Sequence, residues 1–280
     1  MFGRLSKEQR LRRTVEDVLV GCGFSEAYNW SLVPEDDDPA AIRLPEPLSA
    51  EQAVLRTTLR RGLIESAQRN VDAGAAHVSL FEIARVYLPT GGKLPEERWH
   101  LGGIASGGFA RAKGALETLH ETLKVPLHVE PAKEPFLHPG KAARIGSGWV
   151  GELHPAVLDG VWGAFELDLG ELLEESHEER RYTDVASFPA VRQDLAFAVP
   201  EEVTAAELAN AAREAAGPEL HDIRPFDVYR GEQVGEGRKS VAFAVSFQSP
   251  KRTLTDEDAA GLREKIVTAL RERFGAELRA

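Results

Sequence analysis

A single cysteine, Cys22, among 280 residues excludes an internal disulfide framework and suits a reducing cytosol, so a cytoplasmic protein is expected. It also withholds the paired thiols from which a zinc site usually starts. Cys22 lies between Gly21 and Gly23 with no neighbouring base, which argues against a nucleophilic thiol. Long apolar runs are missing too: none approaches the roughly 18 residues of a membrane span. The first five residues carry charge with no apolar stretch behind it, so no signal peptide is expected. A basic excess is the third absence. With 34 Lys and Arg against 45 Asp and Glu, the net charge is −11, which excludes a general DNA-coating protein because phosphate neutralisation needs clustered cations. RNA stays open, provided its surface is a local patch. Residues 181–280 carry a net charge of −3 and the remainder −8, so the deficit lies mainly upstream.

What is present is a globular balance, 42% hydrophobic and 28% charged, long enough for two domains of ordinary size. Spacing predicts a helix over 7–19, with Leu11, Val15, Val18 and Leu19 on one stripe, stopped at Gly21 and Gly23. A strand follows at 27–33, then an acidic turn, then a helix from about 51 to 70 through Leu55, Leu59, Leu63 and Ile64. Residues 77–88 read as a long strand. Further strands at 99–105, 144–153 and 164–169 surround a helix at 112–123. Glycines at 91–92, 107–108 and 146–148 mark tight connections. The first region is therefore an α+β domain with a mostly antiparallel sheet, over 1–177, and 171–181 reads as a solvated helix end and linker.

From 184 to 280 the pattern becomes a small complete unit. Strands at 194–199, 223–229 and 240–248, helices at 204–216 and 256–274, and a last short strand near Leu278 give the order β-α-β-β-α-β of the ferredoxin-like fold. Both helices open with a capping box, Thr204/Glu207 and Thr255/Asp258. Gly231, Gly235 and Gly237 sit between two strands, where a phosphate-cradling loop would have to join a strand to a helix; they read as hairpin glycines. His128, His138 and His154 lie on separate segments without helical metal-ligand spacing, and two of them adjoin prolines at turns, so structural histidines are expected. The run from Arg230 to Arg252 offers more. It sets Arg230, Arg238, Lys239, Lys251 and Arg252 on what read as two adjacent loops beside Phe226, Asp227 and Tyr229. A ring to stack on, a carboxylate to read an edge and cations for phosphate are the means of recognising unpaired RNA bases.

These residues also carry a resemblance. Residues 188–196 (Phe-Pro-Ala-Val-Arg-Gln-Asp-Leu-Ala), 226–231 (Phe-Asp-Val-Tyr-Arg-Gly), 237–240 (Gly-Arg-Lys-Ser) and 252–256 (Arg-Thr-Leu-Thr-Asp) resemble, in order and spacing, the ferredoxin-fold anticodon-binding domain that closes the β subunit of bacterial phenylalanyl-tRNA synthetase. Upstream, Leu55-Arg56-Thr57-Thr58-Leu59, Leu80-Phe81-Glu82-Ile83, Phe136-Leu137-His138-Pro139-Gly140 and Gly151-Glu152-Leu153-His154-Pro155 resemble the same subunit's central domain, a non-catalytic relative of class II synthetase cores. The resemblance implies a tRNA-binding subunit portion that binds the anticodon of a phenylalanine tRNA and supports a catalytic α subunit in a hetero-oligomer. It implies that Tyr229 stacks on the first anticodon base, Asp227 reads its edge and Ala196 leaves room for it. Ser240, Arg192, Lys239 and Arg252 complete the implied RNA surface, the last three on phosphates. It further implies a subunit interface at the Leu11/Val15/Val18 helix and the 28–32 strand. The alternative is a stand-alone regulatory or ligand-sensing relative.

An enzyme in its own right is not expected. A working class II core needs arginines that hold the ATP phosphates where charge develops. The corresponding strands here read Phe81-Glu82-Ile83-Ala84-Arg85 and Phe165-Glu166-Leu167-Asp168-Leu169-Gly170, acidic where a triphosphate would lie. Only Arg85 is a candidate to restore activity. ATP and magnesium are accordingly expected at the α subunit alone, with no metal, no cofactor, no DNA and no membrane for this chain.

Overall fold

The computed structural model describes residues 3–92, 94–176 and 188–279. The chain divides into two compact units, 1–180 and 181–280. The linker expected at 171–181 lies partly, and both expected domain limits wholly, among residues 177–187, outside the described set.

In the first unit, α1 (Lys7–Gly21) opens on a Ser6/Gln9 capping box and buries Leu11, Val15 and Leu19. Two short strands follow, β1 (Ser25–Glu26) and β2 (Leu32–Val33), then β3 (Val54–Leu55) and α2 (Arg60–Asp72). Next come β4 (Ser79–Leu88), β5 (Glu96–Ser106), α3 (Gly108–Leu123) and β6 (Glu130–Pro131). The hairpin β7 (Leu137–Ile145) and β8 (Gly148–Leu153) leads to β9 (Trp162–Asp168) and α4 (Leu169–Glu175). Seven strands form one sheet in the order β1-β4-β5-β9-β8-β7-β6, antiparallel except where β1 runs alongside β4. One face packs on α1, α3 and α4 through Leu11, Val15, Phe81, Leu101, Leu116 and Phe165. The other packs on α2 through Leu59, Leu63 and Ala67 against Val86, Ile104 and Ala164. Helix α3 lies so close to β9 that a Cβ on Gly163 would stand 2.0 Å from the Gly108 carbonyl oxygen, which makes glycine obligatory there.

Four expectations need correction. The strand expected at 27–33 survives only as Leu32–Val33, paired with β3; upstream of it the Asn29 amide turns to the Glu82 carboxylate instead of a ladder partner. The helix expected from 51 begins at Arg60, because the amides of Leu55 and Arg56 are taken by the carbonyls of Ile42 and Ser31. The four-residue apolar spacing runs on through a segment whose backbone is not helical. The strand expected at 144–153 is two strands, reversed at Gly146, whose φ of +53° favours glycine. The α1 face proposed for subunit contact is the face that packs into this unit's own core, with Val15 and Leu19 fully buried.

The second unit follows the expected order closely: β10 (Val191–Pro200), α5 (Ala205–Ala216), β11 (Leu220–Tyr229), β12 (Arg238–Phe247), α6 (Asp256–Phe274) and β13 (Glu277–Arg279). Its four-stranded sheet runs β11-β12-β10-β13, antiparallel throughout. Both capping boxes form, Thr204 with Glu207 and Thr255 with Asp258. Alternation decides the faces. Leu195, Phe197, Val199, Val241, Phe243 and Val245 point to the helices and pack on Leu208, Ala212, Leu262 and Ile266. The intervening residues form the opposite face. The fold is thus α+β in both units.

Candidate RNA-binding face

The opposite face of the second sheet is built from small residues. Register sets Asp227, Ala242, Ala196 and Arg279 in one transverse row across β11, β12, β10 and β13. The adjacent row holds Tyr229, Ser240, Ala198 and Glu277. Ala196 and Ala242, half-buried, make a small-residue shelf between the Asp227 edge and Arg279, whereas Ala198 and Ser240 in the adjacent row are buried, so Ser240, expected on the RNA surface, is not open to a ligand. Asp227 is exposed and Tyr229 is 40% exposed. An irregularity in register between Pro225 and Asp227 restores the alternation that brings both side chains to this face and leaves Phe226 59% exposed.

Tyr229 is held from two sides. Its hydroxyl would stand 2.3 Å from a Cβ on Gly231, so the ring lies over that glycine's backbone. The Arg279 guanidinium sits 5.8 Å from its ring centroid, and the same group donates to the Gln233 side-chain oxygen at 3.2 Å. Arg279 and Gln233 escaped the sequence reading. Their only signal was the final short strand, whose neighbour could not be assigned without the sheet order.

The cations separate. Arg192 is exposed and shares the parity of Ala196, four residues back along β10. Lys239 pairs in register with Val199, which places it on the helix side; its ammonium donates to the Glu201 carbonyl at 2.6 Å. Arg230 binds the Glu201 carboxylate at 2.7 and 3.0 Å, which holds that carboxyl below its ordinary range. Arg252 makes a bidentate pair with Asp258, at 2.6 and 2.8 Å, by the α6 capping box. Arg238 and Lys239 belong to β12 and not to a loop, and Arg252 lies past the far end of that strand from Tyr229. The basic run is dispersed by the fold.

The acidic strands of the first unit turn out to be structural. Glu82, 1% exposed, accepts from Arg56 at 2.8 Å and from the Asn29 side chain at 2.8 Å. Glu166 accepts from the Thr58 hydroxyl and the Leu59 amide, and its other short contact is His100 Nδ1 at 2.7 Å. It thereby satisfies a free amide at the start of α2. Asp168 caps α4 through the Glu171 amide and pairs with Arg98 at 3.2 Å. The Leu-Arg-Thr-Thr-Leu segment that carried the upstream resemblance is the partner set of these carboxylates. Arg85 points to the other sheet face, paired with Glu97 and 5.3 Å from the Trp99 ring centroid. His138 and His154 each accept from the amide two residues on, as turn histidines do. Among the described residues no group of three or more His, Cys, Asp or Glu is placed to hold a metal ion. Nor is any helix among them long and apolar enough to cross a membrane.

Comparison with known proteins identifies both units. Residues 1–169 match the family described as the phenylalanyl tRNA synthetase beta chain CLM domain, and residues 186–279 match the ferredoxin-fold anticodon binding domain. Similar curated proteins carry the name phenylalanine–tRNA ligase beta subunit. That of Geobacillus kaustophilus is 37% identical over 99% of this chain and 39% of its own length. Those of Bacillus thuringiensis subsp. konkukian and Clostridium tetani are 35% and 33% identical, over 99% and 100% of this chain and 39% of theirs. The chain therefore spans about two fifths of the length of the relatives it matches.

Proposed function

Since this chain belongs to the phenylalanyl-tRNA synthetase beta chain family, we propose that it is a non-catalytic, tRNA-binding portion of a phenylalanine–tRNA ligase β subunit. The observation that carries the reading is the small-residue floor at Ala196 and Ala242, crossed by the Arg279 side chain and flanked by exposed Asp227 and Tyr229. A flat base needs a flat floor, a ring to stack on and a carboxylate for its edge donors, and unpaired bases are bound in this way. Tyr229 stacks on the first anticodon base of a phenylalanine tRNA, Asp227 accepts from its edge, and Ala196 leaves it room, with Ser240 buried beside it. Arg192 is the cation that reaches phosphate from this face; Lys239 and Arg252 must first leave Glu201 and Asp258.

Catalysis, with its ATP and magnesium, belongs in this reading to a cytoplasmic α subunit. Supporting it, the carboxylates Glu82 and Glu166 are buried and fully engaged with protein groups, and Arg85 faces away from them. The surface offered to the partner is the segment that leaves the sheet, where Tyr28 is 92% and Trp30 76% exposed. Tyr28→Ser with Trp30→Ser is expected to abolish co-elution with the α subunit and leave the melting temperature unchanged.

The test of the RNA reading is Tyr229→Ala, with affinity for the anticodon stem-loop and melting temperature measured on the same protein. Stacking is worth roughly 1–3 kcal/mol per base, so binding should weaken about 5- to 150-fold. Unchanged affinity in a folded protein would refute it.

A further inference from the structure

The open face of the second sheet does not end at the row that holds Asp227. Strand β12 runs down its middle with Ser240, Ala242, Ala244 and Ser246 on that face, alternating with Val241, Phe243, Val245 and Phe247 against the helices. These small side chains line a trough along the strand, and the neighbouring strands wall it. In register with Ala244 stand Asp194 on β10 and Arg224 on β11; in register with Ser246 stand Arg192 and Asp222. Each row lies two residues from the next, about 7 Å.

The trough is open in one direction only. Towards the Tyr229 row, Ser240 and Ala198 are buried, and Glu277 ends the row paired with Arg238. The other way Ala244 is exposed, and so are Asp194 and Arg192. Arg224 is 79% exposed; its ion pair is with Asp222, at 2.9 Å on the same strand, and pairs so exposed hold weakly. Asp194 forms no hydrogen bond or ion pair with the described residues. A carboxylate and a guanidinium therefore flank a methyl floor, on backbones about 10 Å apart. Asp227 and Arg279 stand at the two ends of the row beside it.

We propose that the Ala244 row seats the second anticodon nucleotide: its base lies on Ala244, Asp194 accepts from its edge donors and Arg224 donates to its acceptors. This assignment rests on the anticodon reading of Tyr229 and Asp227 and extends it by one nucleotide along β12. The step of about 7 Å is roughly twice the ~3.4 Å between stacked neighbours, so the second base leaves the first and takes a floor of its own. Splayed, unstacked bases are the form in which proteins read single-stranded RNA. The next row then offers Arg192, an exposed cation, to the phosphate that follows.

The test is a double-mutant cycle on the whole chain, Ala244→Ile against anticodon stem-loops with the second base intact or replaced by an abasic site. Isoleucine is favoured in strands, so the melting temperature is expected to hold. Intact RNA should bind the variant as weakly as abasic RNA binds the parent, about 5-fold or more below the intact pair. Abasic RNA should bind both proteins equally. Asp194→Asn should cut discrimination among second-position bases about 5-fold or more and leave first-position discrimination as it was. Equal loss on intact and abasic RNA, or no loss from A244I, would overturn the assignment. Tyr229→Ala on the same stem-loops separates the two readings: if it weakens binding and A244I does not, only the second seat is wrong, and if neither does, both fall.

Discussion

The two sheets use the same kinds of polar side chain to opposite ends. In the first unit Glu82 and Glu166 project from strands into the layer beneath α2, where Arg56, Asn29, Thr58 and the Leu59 amide consume their lone pairs. In the second unit Asp227 and Tyr229 project from a strand onto a face of alanines and serine, and stay open to solvent. A carboxylate surrounded by donors is spent on architecture; a carboxylate beside a small-residue shelf is available for a ligand. Residue type says little about which fate applies. The layer on that side of the sheet decides it.

The largest expected effect breaks the inward side of this contrast. Glu82→Ala leaves Arg56 charged and buried without its partner, and should cost about 3–5 kcal/mol of stability in the first unit, read by denaturant unfolding. Replacing both partners with apolar residues, Arg56→Met with Glu82→Leu, should recover most of it. If the single substitution is neutral, the pair is not structural.

On the outward side, Gly231→Ala should act on binding alone. The backbone at Gly231 is extended, with φ 176°, so alanine is not strained there. The new methyl would displace the Tyr229 hydroxyl. Anticodon stem-loop affinity is expected to fall at least about 5-fold, the weakest value of a base–aromatic stack. Stability should stay within about 0.5 kcal/mol, as for other surface positions. A smaller change follows from Arg192→Gln: the slope of log affinity against log salt should decline by about 0.7, one phosphate contact on a single strand, without altering base preference.

The smallest effect concerns a cation that the fold has diverted. Arg252, with the Thr255 amide and hydroxyl, holds the Asp258 carboxyl well below its ordinary value. A depressed carboxyl contributes stability that is whole above its unfolded pKa, about 4, and is lost as pH falls through the folded value. Asp258→Asn should therefore lower the melting temperature of the second unit near pH 7. The difference from the parent protein should shrink as the pH drops below about 4. A gap that persists into strong acid would mean that Asp258 acts through shape and not charge.

How much was legible in the sequence differs between the units for the same physical reason. The second unit's helices were bounded to within a residue, because Thr204/Glu207 and Thr255/Asp258 are local signals: a cap is made by residues three apart. Its fold order, and the coincidence of Asp227 and Tyr229 on one face, follow from a two-residue period. The α2 start was misplaced because its determinant is Glu166, about a hundred residues downstream, which no local spacing can announce. The basic run from Arg230 to Arg252 looked like one patch because neighbours in sequence suggest neighbours in space; strand parity sent Lys239 to the other face.

By itself, then, the sequence determined composition class, element order in the second unit, the capping boxes and the pair of residues on the β11 edge. These rest on interactions within a few residues or on simple alternation. Tertiary structure alone decided that Arg279 would cross the sheet to Tyr229 and that Glu82 and Glu166 would be consumed inside. Each of those depends on which segments the fold brings together, and the free energy of a polar group is set by the neighbours it meets there.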